Sequence, residues 1–324
     1  PADKLTDADT VHWTGKPHRL TSLVRIDGKA FRVMGKEPAD VPALPQTSVE
    51  VLPTRTIYTF EGEGVRLTLT FMTPTLPEEI KLLSLPITYL TYDVQSTEKD
   101  SRDVQIWFEA SGEIAVNSAN ELANASRFHS TNAHSVSIRS EAQALLEKKG
   151  DDLRIDWGQF STVAPEVAGT SSGILKREEA QMRGRAFEVT NPISPVSVAA
   201  SPGNEIVAVL RFDLGKITRT PSRRWLVLAY DDYYSIQYMK KNLRSYWKAH
   251  GWTMKEFGWE YNPKSEATNL FGCTTALLGA SRLQYESLKQ RCAAFDAELM
   301  ADLRKAGGEK YARIAALALT IPAG

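Results

Sequence analysis

Two histidines and a tryptophan near the start of the chain are the first side chains whose types suggest a binding site. His12 and Trp13 are adjacent, and His18 follows after a short polar stretch. Such a set can line a pocket for a sugar or an amide, but a zinc site needs a third ligand, which this stretch does not place. A structural role is the more frequent one for such residues, so the sequence leaves both possibilities open.

Two adjacent carboxylates, Asp231 and Asp232, follow the apolar run WLVLAY at residues 225–230. That run has the composition of a strand that is buried on both faces. The residues after the pair have helical spacing, so an aspartate here would accept hydrogen bonds from the free N–H groups of the first helical turn. Substrate binding or catalysis is the alternative use of the pair, and capping is the more frequent one.

Two acidic residues near the end of the chain, Asp296 and Glu298, stand close together in a predicted helix. Side chains at this spacing project in different directions and do not form an acid–base pair. We therefore expect both to be solvated helix charges. The sequence also contains no GxSxG elbow, P-loop, HExxH pair or dinucleotide fingerprint, so the residues alone predict no reaction.

The composition argues against several classes of function. The chain has 324 residues, of which 42% are hydrophobic, and a formal net charge of zero. A neutral chain has no general electrostatic attraction to nucleic acid or to an anionic membrane surface, so we predict neither partner. Cys273 and Cys292 are too few for a disulfide framework or a metal cluster. We expect buried thiols, with a bridge between them as the alternative, and we predict no metal and no cofactor.

The body of the chain shows the two-residue period of half-buried strands. Apolar and polar residues alternate in VRLTLTF at 65–71 and again in IVAVLRFDL at 206–214. Asp27 and Gly28 are predicted to form a hairpin turn because both tolerate the positive φ that such turns need. Residues 61–64 form a second predicted turn. Many short strands with polar turns and no helices between them favour an antiparallel β-sandwich.

A helical pattern begins after this region. Apolar residues recur at helical spacing in two runs, and lysines and arginines occupy other positions. The first predicted stripe comprises Ile236, Met239, Leu243 and Trp247, and the second comprises Leu288, Cys292, Phe295 and Leu299. We therefore predict a helical layer that follows the sandwich.

Several extended phrases of the sequence resemble the glutaminase A family. The order HWTG, LVRIDGKAFRVMG, LPTRTIYTFEGEGVRLTLTFMTP and SLPITYLTYDVQS is similar to the N-terminal domain of that family. The later phrases LVLAYDDYYSIQYM, SYWKAHG, RCAAFDAEL and GGEKYARIAALAL resemble its passage into a central helical domain. The resemblance runs along most of the chain and is weakest through 117–180 and 258–285.

The resemblance implies a mainly β protein, with a large supersandwich-like antiparallel β-sandwich followed by helices that begin an α/α toroid. It implies a β-sandwich domain over 1–230, a helical linker over 231–280 and the first toroid helices over 281–324. It also implies a secreted or periplasmic hydrolase that converts L-glutamine into glutamate and ammonia. The catalytic carboxylates of such toroids would lie beyond this chain, so the catalytic residues stay unknown.

Four residues in or near these phrases are candidates for substrate contact: Trp13, Arg55, Asp231 and Asp232. An arginine is suited to gripping an α-carboxylate through two hydrogen bonds. The expected partners are a small-molecule substrate, either glutamine or a glycoside, and the remainder of the chain's own toroid.

Two alternatives keep the same architecture. In the first, the protein is carbohydrate-active, because sandwich-plus-toroid proteins often cleave glycosidic bonds with two carboxylates. In the second, the chain is a non-catalytic binding module. That second reading expects Leu288, Phe295 and Leu299 to face solvent and to make the module associate with itself.

Overall fold

The computed structural model describes residues 4–129, 132–189, 196–232, 234–249, 252–254, 259–261 and 270–320. Among these described residues, the first part of the chain forms the strands β1 (Leu20–Ile26), β2 (Lys29–Met34), β3 (Gln46–Val51), β4 (Arg55–Gly62), β5 (Val65–Met72), β6 (Ile87–Ser96), β7 (Arg102–Ser111), β8 (Leu122–His129) and β9 (Ala133–Ser140). Further strands follow: β10 (Gly158–Pro165), β11 (Thr170–Lys176), β12 (Val196–Pro202), β13 (Ile206–Ile217), β14 (Ser222–Asp232), β15 (Ile236–Tyr238), β16 (Lys241–Leu243), β17 (Trp252–Met254) and β18 (Trp259–Tyr261). The helices are α1 (Ile80–Leu83), α2 (Arg177–Ala186), α3 (Tyr246–Ala249) and α4 (Leu270–Thr320).

Two antiparallel sheets form the body of the protein. The smaller sheet has the order β11-β13-β7-β1-β2, and the larger has the order β12-β8-β9-β10-β14-β6-β5-β4-β3. Buried residues of both sheets, such as Val24 and Phe108 of the smaller sheet and Leu67 and Leu90 of the larger, share one hydrophobic core. The predicted β-sandwich is therefore confirmed.

The alternating patterns produce the strands as expected. In β5, Val65, Leu67 and Leu69 are buried while Arg66 is exposed. The turn between β1 and β2 places Asp27 and Gly28 at positive φ, as predicted for a tight hairpin. Each sheet thus presents one apolar face to the other, and the polar positions of its strands lie on the outer face.

Helices cover both outer faces. On the smaller sheet, Ala180 of α2 packs with Trp107 and Val209. On the larger sheet, Leu288 and Cys292 of α4 pack on Val227 of β14. Because Leu226, the neighbour of Val227, lies in the core between the sheets, the run at 225–230 is a strand buried on both faces, as the sequence predicts.

Hydrogen bonds and aromatic contacts fix α4 on the larger sheet. The ring of Tyr285 stacks on Trp225 with centroids 4.2 Å apart, and its hydroxyl lies 2.9 Å from Thr91 Oγ1. The hydroxyl of Tyr89 donates to the carbonyl of Ser281 at 2.7 Å. The stripe of Leu288, Phe295 and Leu299 therefore faces the sheet or is partly covered, which overturns the expectation that it is exposed in this chain.

The helix α4 reverses direction near its end. Gly308 has φ 79° and ψ −179°, which is not helical. On a straight helix Leu319 would lie about 35 Å from Asp296. Leu319 nevertheless lines the same groove as Arg55, and Arg55 is bonded to Asp296. The segment after Gly308 therefore folds back along the first part of α4.

The first predicted helical stripe is wrong. Residues 236–243 form the hairpin β15–β16, in which Met239 and Lys240 take positive φ at the turn. Ile236 is exposed there, and α3 places only Trp247 of the stripe in a buried position. An amphipathic helix needs an apolar surface to cover, and α4 already occupies the outer face of the larger sheet. The predicted domain boundaries at 230 and 280 stay predictions. The described residues between 231 and 249 form mainly the hairpin, with only the short helix α3, and not the expected helical linker.

Within the part of the chain that the structure describes, no helix has both the length and the apolar character needed to cross a membrane. The side chain of Cys273 lies outside the described residues, so the predicted state of that thiol is untested. Cys292 is a buried free thiol, as expected.

Candidate functional site

Arg55 lies where the larger sheet meets α4. It is the first residue of β4, and a turn that contains Thr54 precedes it. Asp296 of α4 is only 1% exposed and faces this turn. Its Oδ1 accepts hydrogen bonds from the backbone N–H of Thr54 at 2.8 Å and from Thr54 Oγ1 at 2.9 Å. Its Oδ2 accepts from Arg55 Nε at 2.6 Å.

The sequence predicts that Asp296 and Glu298 are both solvated helix charges, and the structure contradicts this for Asp296 and confirms it for Glu298. Asp296 is a buried, hydrogen-bonded carboxylate and not a solvated helix charge, whereas Glu298 is exposed as predicted. Helical periodicity places Asp296 near the apolar face of α4, and this is the signal that could have identified it. Its partners Thr54 and Arg55 are too distant in sequence for any local pattern to reveal them.

A groove of about 350 Å³ opens beside Arg55. Its wall is made of hydroxyl-bearing and apolar residues, chiefly Thr54, Thr56, Thr73, Thr75, Thr88, Phe71, Ile87 and Leu319. This volume is at the small end of the range for ligand pockets. The groove therefore has room for a small polar molecule.

The guanidinium of Arg55 gives the groove its charge. Among the described residues, Asp296 is its one hydrogen-bonding partner, and that bond uses Nε alone. The terminal nitrogens keep their donors, which suit a planar carboxylate. Because Asp296 fixes one edge of the guanidinium, a bound anion would meet a donor that is already oriented.

Asp231 and Lys248 form a buried ion pair at one end of the larger sheet. Asp231 Oδ1 lies 2.5 Å from Lys248 Nζ, and the side chains are only 1% and 3% exposed. Lys248 Nζ also donates to the carbonyl of Asp232. Asp231 is still part of β14, opposite Gln159 of β10. It therefore does not cap a helix, which corrects that expectation, and its predicted contact with substrate stays a prediction.

Asp232 is half-buried next to this pair. Its Oδ1 accepts a hydrogen bond from Ser235 Oγ at 2.8 Å. Burial raises the pKa of the Asp232 carboxyl, although the hydrogen bond from Ser235 and the charge of Lys248 act in the opposite direction. Asp232 also lies within a strand, so it too is not the cap of a helix.

Trp13 is the most exposed of the four candidates. It is 70% exposed, and its ring contacts His12, with centroids 5.5 Å apart. His18 lies 4.9 Å from His12, and burial, together with the charge of Arg154, lowers the pKa of His18 to about 3. No hydrogen bond, ion pair or ring contact among the described residues joins Trp13 to Arg55, Asp231 or Asp232. The described contacts therefore do not bring the four candidates together, and their shared role in substrate contact stays a prediction.

A second polar cavity, on the smaller sheet, was not predicted. Glu109 accepts a hydrogen bond from Trp107 Nε1 at 2.5 Å, and burial raises the pKa of its carboxyl to about 7. Glu37 pairs with Arg177 at 2.6 Å in the same cavity. The cavity measures about 30 Å³, far less than the groove beside Arg55. It is therefore too small to be the substrate pocket.

Three side chains with potential metal-ligating atoms converge at the opposite end of the larger sheet from Asp232. They are His129, His134 and Glu166, whose ligand atoms all lie within 4.8 Å of one another. The expectation of no metal site rested on spacing along the chain, which does not reveal this convergence.

The fold and the helical cover define a β-sandwich protein with a helical extension. The family model described as "Domain of unknown function (DUF5127)" matches residues 54–302. This match covers most of the chain, including both Arg55 and Asp296, and the chain belongs to that family.

Two comparisons with individual proteins add to the family match. Glutaminase A of Aspergillus oryzae (strain ATCC 42149 / RIB 40) is 30% identical over 112 residues, which is 34% of this chain and 16% of the relative. The match therefore spans a small part of that relative and supports a relation at the level of the family. A solved structure from Escherichia coli K12, named "Putative aldose 1-epimerase", is 9% identical and covers 70% of this chain and 80% of its own. Its TM-score of 0.26 is too low to carry an argument.

Proposed function

We propose that this chain is the N-terminal sandwich region of a glutaminase A-like hydrolase that converts L-glutamine into glutamate and ammonia. The observation that carries the proposal is the 30% identity to Glutaminase A over 112 residues. The family match supports a common architecture but names no reaction. A secreted or periplasmic location is part of the same proposal.

In this proposal the Arg55 groove binds the α-carboxylate of the substrate. The groove offers a positive charge that Asp296 orients, hydroxyl groups that can hydrogen-bond an amino acid, and an apolar wall for its methylenes. A carboxylate held by two guanidinium N–H groups would be positioned as well as bound.

The reaction itself needs a base outside the groove. Water adds to the side-chain amide carbon, the C–N bond breaks, and a proton passes to the leaving ammonia. A carboxylate would take the proton of the attacking water, and fixed donors would stabilise the oxyanion. Asp231 is committed to Lys248, and Asp296 to Thr54 and Arg55. We therefore assign the base to the α/α toroid that the proposal places after the sandwich.

A carbohydrate substrate is the second candidate, and Trp13 is the observation that favours it. An indole that is 70% exposed offers a flat apolar face of the kind that stacks on sugar rings. If this candidate is correct, glycosides will be cleaved while glutamine is not.

The test measures ammonia release from L-glutamine by the full-length protein, which would include the proposed toroid, with a parallel screen of glycosides. Arg55→Gln is the informative variant, because its amide nitrogen can occupy the position of Arg55 Nε and keep the bond to Asp296. It removes the terminal donors, which should cost about 1.5–3 kcal/mol of substrate binding and raise KM about tenfold to a hundredfold. Arg66→Gln is the matched control, since Arg66 is exposed on β5 and pairs with Glu61.

The results separate the two candidates. Glutamine turnover with a raised KM in Arg55→Gln alone supports the proposal. Equal turnover of L-glutamine by both variants would show that Arg55 does not bind the substrate. Glycoside cleavage without ammonia release would show that the substrate is a carbohydrate and not glutamine.

A further inference from the structure

Two histidines face each other across the hairpin of β8 and β9. His129 is the last residue of β8, and it pairs in register with His134, the second residue of β9. Their rings are stacked, with centroids 4.4 Å apart and an interplanar angle of 19°. The antiparallel pairing therefore holds two imidazoles side by side.

Glu166 completes the cluster from the strand on the other side of β9. It directly follows β10, and its backbone N–H donates to the carbonyl of Asn132 at 3.0 Å. Its Oε2 lies 2.7 Å from His129 Nε2 and 2.6 Å from His134 Nε2. One carboxylate oxygen thus lies between the Nε2 atoms of both rings.

His134 is the fixed member of the cluster. It is buried at 1% exposure, and its Nδ1 lies 3.2 Å from Ser172 Oγ of β11. Metal-binding histidines commonly hydrogen-bond their other ring nitrogen in this way, which fixes the ring orientation.

We propose that His129, His134 and Glu166 bind one divalent transition-metal ion such as zinc. Two imidazole nitrogens and one carboxylate oxygen are a ligand set that suits zinc and its neighbours better than magnesium or calcium. His129 and Glu166 are about one-third exposed, so the ion can reach the site and take solvent as a further ligand. The site lies outside the Arg55 groove, and the proposal does not depend on the glutaminase assignment.

Zinc binding requires a small adjustment of the three side chains. Zinc bonds of about 2.0–2.1 Å in tetrahedral geometry place neighbouring ligand atoms about 3.3 Å apart. The carboxylate oxygen would therefore move about 0.7 Å away from each Nε2. Rotation of the partly exposed His129 and Glu166 side chains supplies this movement while His134 stays in place.

Arg127 sets an upper limit on the affinity. Its buried guanidinium donates through Nε to both oxygens of Ser172 at 2.9 Å, on the far side of His134 from Glu166. A buried cation so close opposes a second one, and Glu166 is the cluster's single carboxylate. We therefore expect moderate affinity for the ion. A variant that lacks one ligand should then bind the ion measurably more weakly.

The test is titration of the metal-free protein with Zn²⁺ by calorimetry, and with Co²⁺ by visible absorption. His129→Gln and Glu166→Gln are the test variants, because both residues are partly exposed and their replacement leaves the core intact. His12→Gln is the matched control from the other histidine pair. We expect one bound ion per chain, affinity lower by at least about tenfold in both test variants, and no change in the control.

Three results would overturn the proposal. They are absence of binding to the unaltered protein at millimolar Zn²⁺, unchanged affinity in His129→Gln and Glu166→Gln, or loss of binding in His12→Gln. Equal binding of Mg²⁺ would also count against it, since the ligand set selects for nitrogen-binding metals.

Discussion

Replacement of Asp296 by alanine tests how the helical layer is attached to the sandwich. The substitution removes three hydrogen bonds, two from Thr54 and one from Arg55. It leaves the N–H of Thr54 without its acceptor in a buried position, and it leaves the charge of Arg55 unpaired where the side chain is 18% exposed.

The size of the effect follows from these contacts. Removal of one partner from a buried ion pair costs about 3–5 kcal/mol. Water can reach part of Arg55, so we expect the lower end, about 3 kcal/mol of the free energy of unfolding. Asp296→Asn keeps an oxygen for Thr54, but its NH2 group then faces the Nε–H of Arg55, so two donors oppose each other. It should therefore cost about as much as Asp296→Ala.

Urea unfolding followed by far-UV circular dichroism measures these differences. Glu298→Ala is the control, because Glu298 is exposed on the same helix and should change the free energy of unfolding by less than about 0.5 kcal/mol. If Asp296→Ala and Glu298→Ala unfold at the same urea concentration, Asp296 does not attach α4 to the sheet and the reasoning fails.

Three further predictions concern single residues. Lys248→Met removes the ammonium group that pairs with the buried Asp231 carboxylate, and urea unfolding should show a loss of about 3–5 kcal/mol. Burial raises the pKa of Glu109 from 4.5 to about 7, so the folded protein loses stability as the pH rises through this window. The side chain in Glu109→Gln cannot ionise, so this variant escapes the loss. Between pH 4 and pH 8, its free energy of unfolding should rise relative to that of the unaltered protein by at most about 3 kcal/mol, as measured by unfolding at several pH values. Gly308→Ala meets no atom within 4 Å but places a side chain at φ 79°, so urea unfolding should show a loss of about 1–3 kcal/mol from backbone strain alone.

The strands could be predicted from sequence because their period is local. In VRLTLTF every second side chain is apolar, and that is enough to define a strand with one buried face. The same logic failed at Ile236 and Met239, whose spacing suits a helix. Whether a helix forms there depends on a free apolar surface, and the distant α4 covers the outer face of the larger sheet.

The candidate site shows the same limit. Arg55 could be singled out from its place in a family-like phrase, but its partner Asp296 lies 241 residues away. His129 and His134 are five residues apart in sequence, a spacing compatible with a facing pair on two consecutive antiparallel strands. Glu166 joins them only because β10 pairs with β9, which no local pattern states.

Binding of L-glutamine to the Arg55 groove is the most direct test of the central claim. Calorimetry compares L-glutamine with 4-aminobutanamide, which keeps the side-chain amide and lacks the α-carboxylate. The proposal predicts that L-glutamine binds at least about tenfold more tightly, and that Arg55→Gln abolishes this difference while Arg66→Gln preserves it. Equal binding of the two ligands, or a preference that survives in Arg55→Gln, would contradict the assignment of Arg55 as the carboxylate-binding residue.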